Sequence, residues 1–178
     1  NLDSGSSNHS QNTGHTSSLG NSSGEVVISS LENGATGAAE TYPMSYRGIE
    51  NFFGNTWKFT DGILIKDDGY YIESDISNFN NSGAGYEHIQ TTPITDNDGY
   101  VNDLDYNLPF GFLGSQTSGS NTTYICDYLW SHDSGEVNIA RLGGRWNDGS
   151  RAGGFYWSLG SVASHSYRAV SARLLFVG

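Results

Sequence analysis

One cysteine, three prolines and eight cationic residues in 178 positions set the first limits on this chain. A single thiol, Cys126, closes no intrachain disulfide; its expected role is a buried thiol on a strand. Eight Lys and Arg against 19 Asp and Glu leave a net charge of −11. That balance lacks the basic footprint of a nucleic-acid binder and disfavours anionic membranes. No apolar run reaches the roughly 18 residues a membrane helix needs. What is abundant is Gly, Ser, Asn and Tyr, with charged residues only 15% of the chain. This is the composition of an extracellular binding surface rather than of an average cytosolic enzyme. The length predicts one domain with a core of its own. The first residue is Asn1, not Met, so the chain reads as the C-terminal piece of a longer protein.

The organising stretch is Ala140 to Gly178. Strands are predicted at Val137–Leu142 and Ala169–Val177, both rich in apolar and β-branched residues. Between them Gly143, Gly144, Gly149, Gly153, Gly154 and Gly160 exclude a long helix and force tight turns. Trp146 and Trp157 are expected to pin those turns to the core, each burying roughly 200 Å². Residues 1–24 hold almost nothing apolar and read as a linker or arm from an upstream shaft; the domain spans 25–178. Inside it, Ser45 is placed to cap a short helix over 46–53 that Gly54 ends. Trp57 and Phe59 alternate with polar neighbours as in a half-buried strand. Asp61-Gly62 reads as a hairpin turn before Ile63–Lys66, and Asp67-Asp68-Gly69 as a second turn before Tyr70–Glu73. Residues 74–121 are irregular, and Tyr124–Trp130 is a strand. The expected core is Trp57, Phe59, Trp146, Trp157, Leu174 and Phe176.

Two segments carry a family resemblance. Arg47-Gly48-Ile49-Glu50-Asn51-Phe52-Phe53-Gly54-Asn55-Thr56-Trp57-Lys58-Phe59 resembles a segment of the formylglycine-generating, sulfatase-modifying family. So do Leu142-Gly143-Gly144-Arg145-Trp146-Asn147-Asp148 and Ala172-Arg173-Leu174-Leu175-Phe176. The frame Gly143, Gly144, Trp146, Asn147, Gly149, Ala152, Gly153, Phe155, Trp157, Leu159, Ala163, Ser164, Ser166, Ala172, Arg173, Leu174 is closer to that superfamily's non-enzymatic branch. That branch comprises bacteriophage fibre-tip proteins and the variable proteins of diversity-generating retroelements. Outside Trp157, the stretch Asn147–Val170 contains no Lys, Glu, Gln, Met or Trp; this is consistent with adenine-directed randomisation of Asn codons. The resemblance implies an α+β, C-type-lectin-like fold with small twisted antiparallel sheets and extensive loops. It also implies a receptor-binding role at a virion fibre tip, against host-surface glycan or protein, quite compatible with a homotrimer joined to a fibre shaft. The family's oxidases act through cysteines near the domain end; Ser171–Phe176 has none, which argues against that activity.

Division of labour sets the expected binding set. If glycines and tryptophans fix the backbone, the intervening Asn147, Asp148, Ser150, Arg151, Tyr156, Ser158, His165, Tyr167 and Arg168 are free to form one exposed face. Strand alternation, with Phe155 and Trp157 turned inward, predicts an exposed Tyr156. Asp96, Asp98 and Asp103 cluster hard oxygen ligands of the kind Ca²⁺ prefers, with a solvated acidic turn as the bland alternative. No catalytic residue is assigned. A fibre-borne glycan-cleaving enzyme is the alternative, and a deep acidic pair in a groove would mark it.

Overall fold

A computed structural model describes residues 15–27, 43–66, 69–89, 98–107, 111–132 and 135–172. Thirteen strands run through them in chain order. β1 (Gly24–Glu25), β2 (Met44–Tyr46) and β3 (Ile49–Glu50) form a small antiparallel sheet. β4 (Trp57–Lys66), β5 (Gly69–Ile72), β6 (Glu87–Ile89), β7 (Gly99–Tyr100), β10 (Tyr128–Ser131), β11 (Asn138–Leu142) and β12 (Trp157–Val162) build the main sheet, in the order β6-β5-β4-β11-β12-β10-β7. β13 (Val170–Ser171) lies parallel to the start of β4, and β10 runs parallel to β12. β8 (Asp103–Asn107) and β9 (Gly111–Gln116) form a separate hairpin.

The expected α+β, C-type-lectin-like fold is not what forms. Among the described residues there is no α-helix, only 3₁₀ turns at Ser17–Leu19, Ile76–Asn78 and Gly149–Arg151, and the molecule is nearly all β. The segment expected as a helix over 46–53 shows why. Arg47 and Gly48 both adopt positive φ, at 49° and 79°. Two successive left-handed residues make a primed turn, and such turns match the twist of paired strands. So β2 and β3 pair as a hairpin, Ser45 opposite Glu50. Residues 15–25 pack against this hairpin: Thr16 is buried and its N–H donates to the Glu50 carboxylate at 2.9 Å.

Asp61-Gly62 marks a real left-handed position but not a chain reversal. Gly62 has φ 85°, and β4 continues through it as one ten-residue strand. Opposite it, the pairing with β11 jumps from Ile139↔Leu64 to Ala140↔Thr60. The extra residues are absorbed as a bulge, which bends the strand and re-aims its side chains. A Cβ at Gly62 would meet the Glu73 carbonyl oxygen at 2.7 Å and the Phe79 ring at 2.9 Å. Gly62→Val therefore combines backbone strain with a clash; we expect a cost of about 3 kcal/mol and a melting temperature roughly 5–10 °C lower. An unchanged thermal melt would contradict the bulge.

The main sheet sorts residues by face. Ala140, Leu129, Leu159, Ile65, Tyr70 and Ile72 are buried in one cluster, with Trp157 half-buried against it. Trp57, Arg141, Ser158 and Trp130 point to the other side, as alternation with Ala140, Leu159 and Leu129 requires. Trp57 and Trp146 are buried, whereas Phe59 is half-buried; Leu174 and Phe176 lie outside the described residues. Cys126 is exposed rather than buried on a strand, because β10 begins only at Tyr128.

Candidate functional site

On the second face of the main sheet lies a cleft of about 410 Å³. Its floor comes from four strands: Trp57 on β4, Arg141 on β11, Ser158 and Ser161 on β12, and Trp130 on β10. Its walls come from the glycine loop, through Arg145, Asp148, Arg151 and Tyr156, and from the turn that carries His165 and Tyr167. Asp98 closes the β7 side.

The loop is held at both ends by backbone bonds. Gly143 N–H donates to the Tyr156 carbonyl, the Gly143 carbonyl accepts from Gly54, and Trp146 N–H donates to Asn55. Gly144 sits at φ 75°, and a Cβ there would meet Ala152 and the Tyr156 ring at about 3.0 Å. Only glycine allows this close approach of loop and ring. The predicted role of the glycine frame thus has a specific geometry here: it stacks loop backbone directly on an aromatic wall.

Arg141 is the unusual residue. Arg141 faces Ser158 across β11 and β12 and donates to its Oγ at 2.8 Å. Its guanidinium lies 5.3 Å from the Trp57 ring centroid. Only 6% of it is exposed, and its Nε has no hydrogen-bond partner among the described residues. Burial lowers its pKa from the ordinary guanidinium value, opposed by Tyr156 and Asp148. Arg145 and Arg151 share Asp148 instead. The Asp148 carboxylate accepts from Arg145 N–H at 2.8 Å and Arg145 Nε at 3.4 Å, with Arg151 Nη2 at 4.0 Å. Burial tends to strip the Arg151 proton, but Tyr156, Tyr128 and Asp148 together hold it more tightly than usual. Tyr156 packs edge-on against Trp57 and Tyr128, with centroids 4.6 and 5.2 Å away. Burial, reinforced by Asp148, pushes its hydroxyl well above the ordinary range.

Of the predicted binding set, Asp148, Arg151, Tyr156, Ser158, His165 and Tyr167 line this cleft. Asn147, Ser150 and Arg168 are exposed outside that lining. Ser150 hydroxyl sits 3.1 Å from the Tyr100 hydroxyl, and Arg168 stacks over Trp146 at 5.7 Å. Exposure departs from expectation at three positions: Asp148, Tyr156 and Ser158 are buried. Tyr156 reverses because β12 starts at Trp157, so strand alternation does not reach it. The Gly153-Gly154 turn, closed by Tyr156 N–H to Gly153, leaves Phe155 69% exposed and folds Tyr156 inward. Arg141, Arg145 and Trp130 were not anticipated. A charge placed between Ala140 and Leu142, in a strand with no other charged residue, is the signal that could have found Arg141.

Of the expected acidic cluster, two members are described. Asp98 lines the cleft, while the Asp103 carboxylate on β8 accepts from Leu104 N–H; Asp96 lies outside the described residues. No group of three or more His, Cys, Asp or Glu that could hold a metal occurs among the described residues.

A second cavity of about 570 Å³ lies on the apolar face, between the β8–β9 hairpin and the main sheet. Ile63, Leu113, Ile125 and Trp157 line it together with one carboxylate, Asp127. Burial raises the Asp127 pKa. A carboxyl raised on folding contributes stability that is full below its unfolded pKa and is lost as pH rises through the folded value. Asp127→Asn should therefore raise the melting temperature at pH 7 and leave it unchanged near pH 3, in paired thermal melts. No family model, curated protein or solved structure shows a significant match to the chain.

Proposed function

We propose that the chain is a non-catalytic, ligand-binding module that attaches to a host cell surface through the arginine–aromatic cleft. One observation carries this reading. Three of the chain's eight cationic side chains, Arg141, Arg145 and Arg151, converge on one 410 Å³ cleft floored by Trp57 and Trp130. In a chain of net charge −11, that convergence supports reading the cleft as a ligand site. Volume, aromatic walls and a few convergent polar groups are the ordinary features of a small-molecule or saccharide site. The placement at a bacteriophage fibre tip rests on the glycine–tryptophan frame alone, and the receptor is host-surface glycan or protein.

A glycan-cleaving enzyme would use two carboxylates in such a cleft, one of them free to give up a proton. Asp98 and Asp148 are the carboxylates present. Both oxygens of Asp148 are engaged by Arg145 N–H groups, which favours a structural role for it. Binding is therefore the better supported reading.

Purified full chain, incubated with host cells and with a glycan array, tests the proposal. Tyr167 stands 42% exposed at the mouth, its ring 5.8 Å from the Arg145 guanidinium. Tyr167→Ala should weaken attachment by roughly thirtyfold, the loss typical of an aromatic anchor, without changing the thermal melt. Attachment insensitive to this substitution and to Arg145→Ala, or release of sugar products during incubation, would overturn the reading.

A further inference from the structure

We infer that the cleft takes a carboxylate-bearing sugar, with the carboxylate received by Arg141. This inference rests on the cleft being the binding site and specifies its ligand.

The charge of the site comes first. Arg141, Arg145 and Arg151 contribute three positive charges, and Asp98 and Asp148 two negative ones, among the groups that line it. Three minus two leaves one positive charge, which one carboxylate neutralises and a dianionic phosphate monoester would over-fill. The two acids do not serve the three arginines equally. Asp148 is committed to Arg145, with Arg151 at its edge. Among the described residues, Arg141 has the hydroxyl of Ser158 as its one hydrogen-bond partner, and its Nε is buried without one.

A buried guanidinium without a bonded carboxylate is expensive, because its lost hydration is not replaced. A ligand anion in the cleft would replace it. A guanidinium offers a planar fork of donors that matches a carboxylate in two parallel hydrogen bonds. The same low-dielectric surroundings that make an unpaired guanidinium costly make that pairing strong.

The rest of the lining fits the rest of a sugar. Trp130 and Tyr167 line the cleft with aromatic surface for an apolar C–H face, and Ser161 and His165, 3.1 Å from each other, line it with polar groups for hydroxyls. The remainder of the molecule acts against crowded negative charge. At net −11, it repels a densely charged polyanion while one acidic residue in a mostly neutral polymer can still enter. The favoured ligand is therefore an isolated uronic or similar acid unit within a surface polysaccharide.

Calorimetric titration of the full chain with three probes tests this. The probes are a tetrasaccharide containing one glucuronic acid, the same tetrasaccharide with that carboxyl reduced to the alcohol, and a sulfated tetrasaccharide. The acid should bind at least thirtyfold more tightly than the other two. Arg141→Met should abolish the difference between the acid and reduced forms. If Arg141→Met does not fold, as a melt would reveal, Arg151→Gln at the exposed edge should narrow the same difference severalfold. Equal, cleft-dependent binding of the acid and reduced forms would overturn the carboxylate assignment and leave the cleft as a neutral-sugar site. Preference for the sulfated probe would overturn it likewise. If no probe binds while host-cell attachment still depends on Tyr167, the carboxylate assignment fails and the proposed function stands. If attachment ignores the cleft variants altogether, both fail.

Discussion

Trp57→Ala is expected to lower the melting temperature by about 10 °C. Trp57 is 5% exposed at the start of β4, where three separate parts of the chain meet. Its N–H donates to the Ala169 carbonyl and its carbonyl accepts from the Ser171 hydroxyl. Its ring supports Tyr156 edge-on at 4.6 Å and underlies the Arg141 guanidinium. Truncation leaves a cavity beneath a buried cation, and large-to-small changes of this kind cost about 3–5 kcal/mol. For a chain of this length each kcal/mol is worth roughly 2–4 °C. Calorimetry or circular dichroism melts read the shift directly. A loss of under about 3 °C would mean that the cleft floor is not the keystone it looks to be. Trp57→Phe should recover roughly half of the loss by refilling part of the cavity.

Asp148→Ala should destabilise the protein by about 2–3 kcal/mol. The side chain is 4% exposed and ties the loop to itself through Arg145 N–H and Nε. Removing one member of a buried charged pair usually costs about 3–5 kcal/mol. Here the loss falls below that range, because the Arg145 and Arg151 side chains are 33% and 45% exposed and can regain water. The melting temperature should fall by roughly 5–8 °C. Asp148→Asn keeps an acceptor for Arg145 N–H and should fall by less than half as much. Equal melts for wild type and Asp148→Ala would show the pair to be surface decoration.

The contrast between Gly62 and Tyr156 shows how far the residues themselves could be followed. Asp61-Gly62 announces a left-handed backbone position, and one occurs there. Whether such a position reverses the chain or makes a bulge depends on the partner strand, which comes some 75 residues later and is invisible locally. Strand β11 and the strand through Trp57 were legible because apolar alternation is a local signal. The start of β12 was not, since it is set by where Gly143 bonds Tyr156, so the orientation of Tyr156 came out reversed. The helix expected over 46–53 failed for a related reason. Ser45 is a good cap, but the backbone preference of Arg47-Gly48 for a tight turn was satisfied by strand pairing with Met44–Tyr46. The region of the site was legible through its glycines, and six of the nine expected residues line the cleft. Its buried arginine was missed because Arg141 belongs to a strand outside the glycine loop.

The parallel pairing of β13 with the first residues of β4 has a consequence for how the protein is made. The Ser171 hydroxyl that caps Trp57 is separated from it by 114 positions. At synthesis rates of roughly 5–20 residues per second, that interval lasts about 6–23 s. For that time the cleft's floor tryptophan waits for its last partners to be made. The sheet's non-local pairing also predicts slow closure once the chain is complete. Trp57, the residue on which the finished site rests, is thus among the last to be secured.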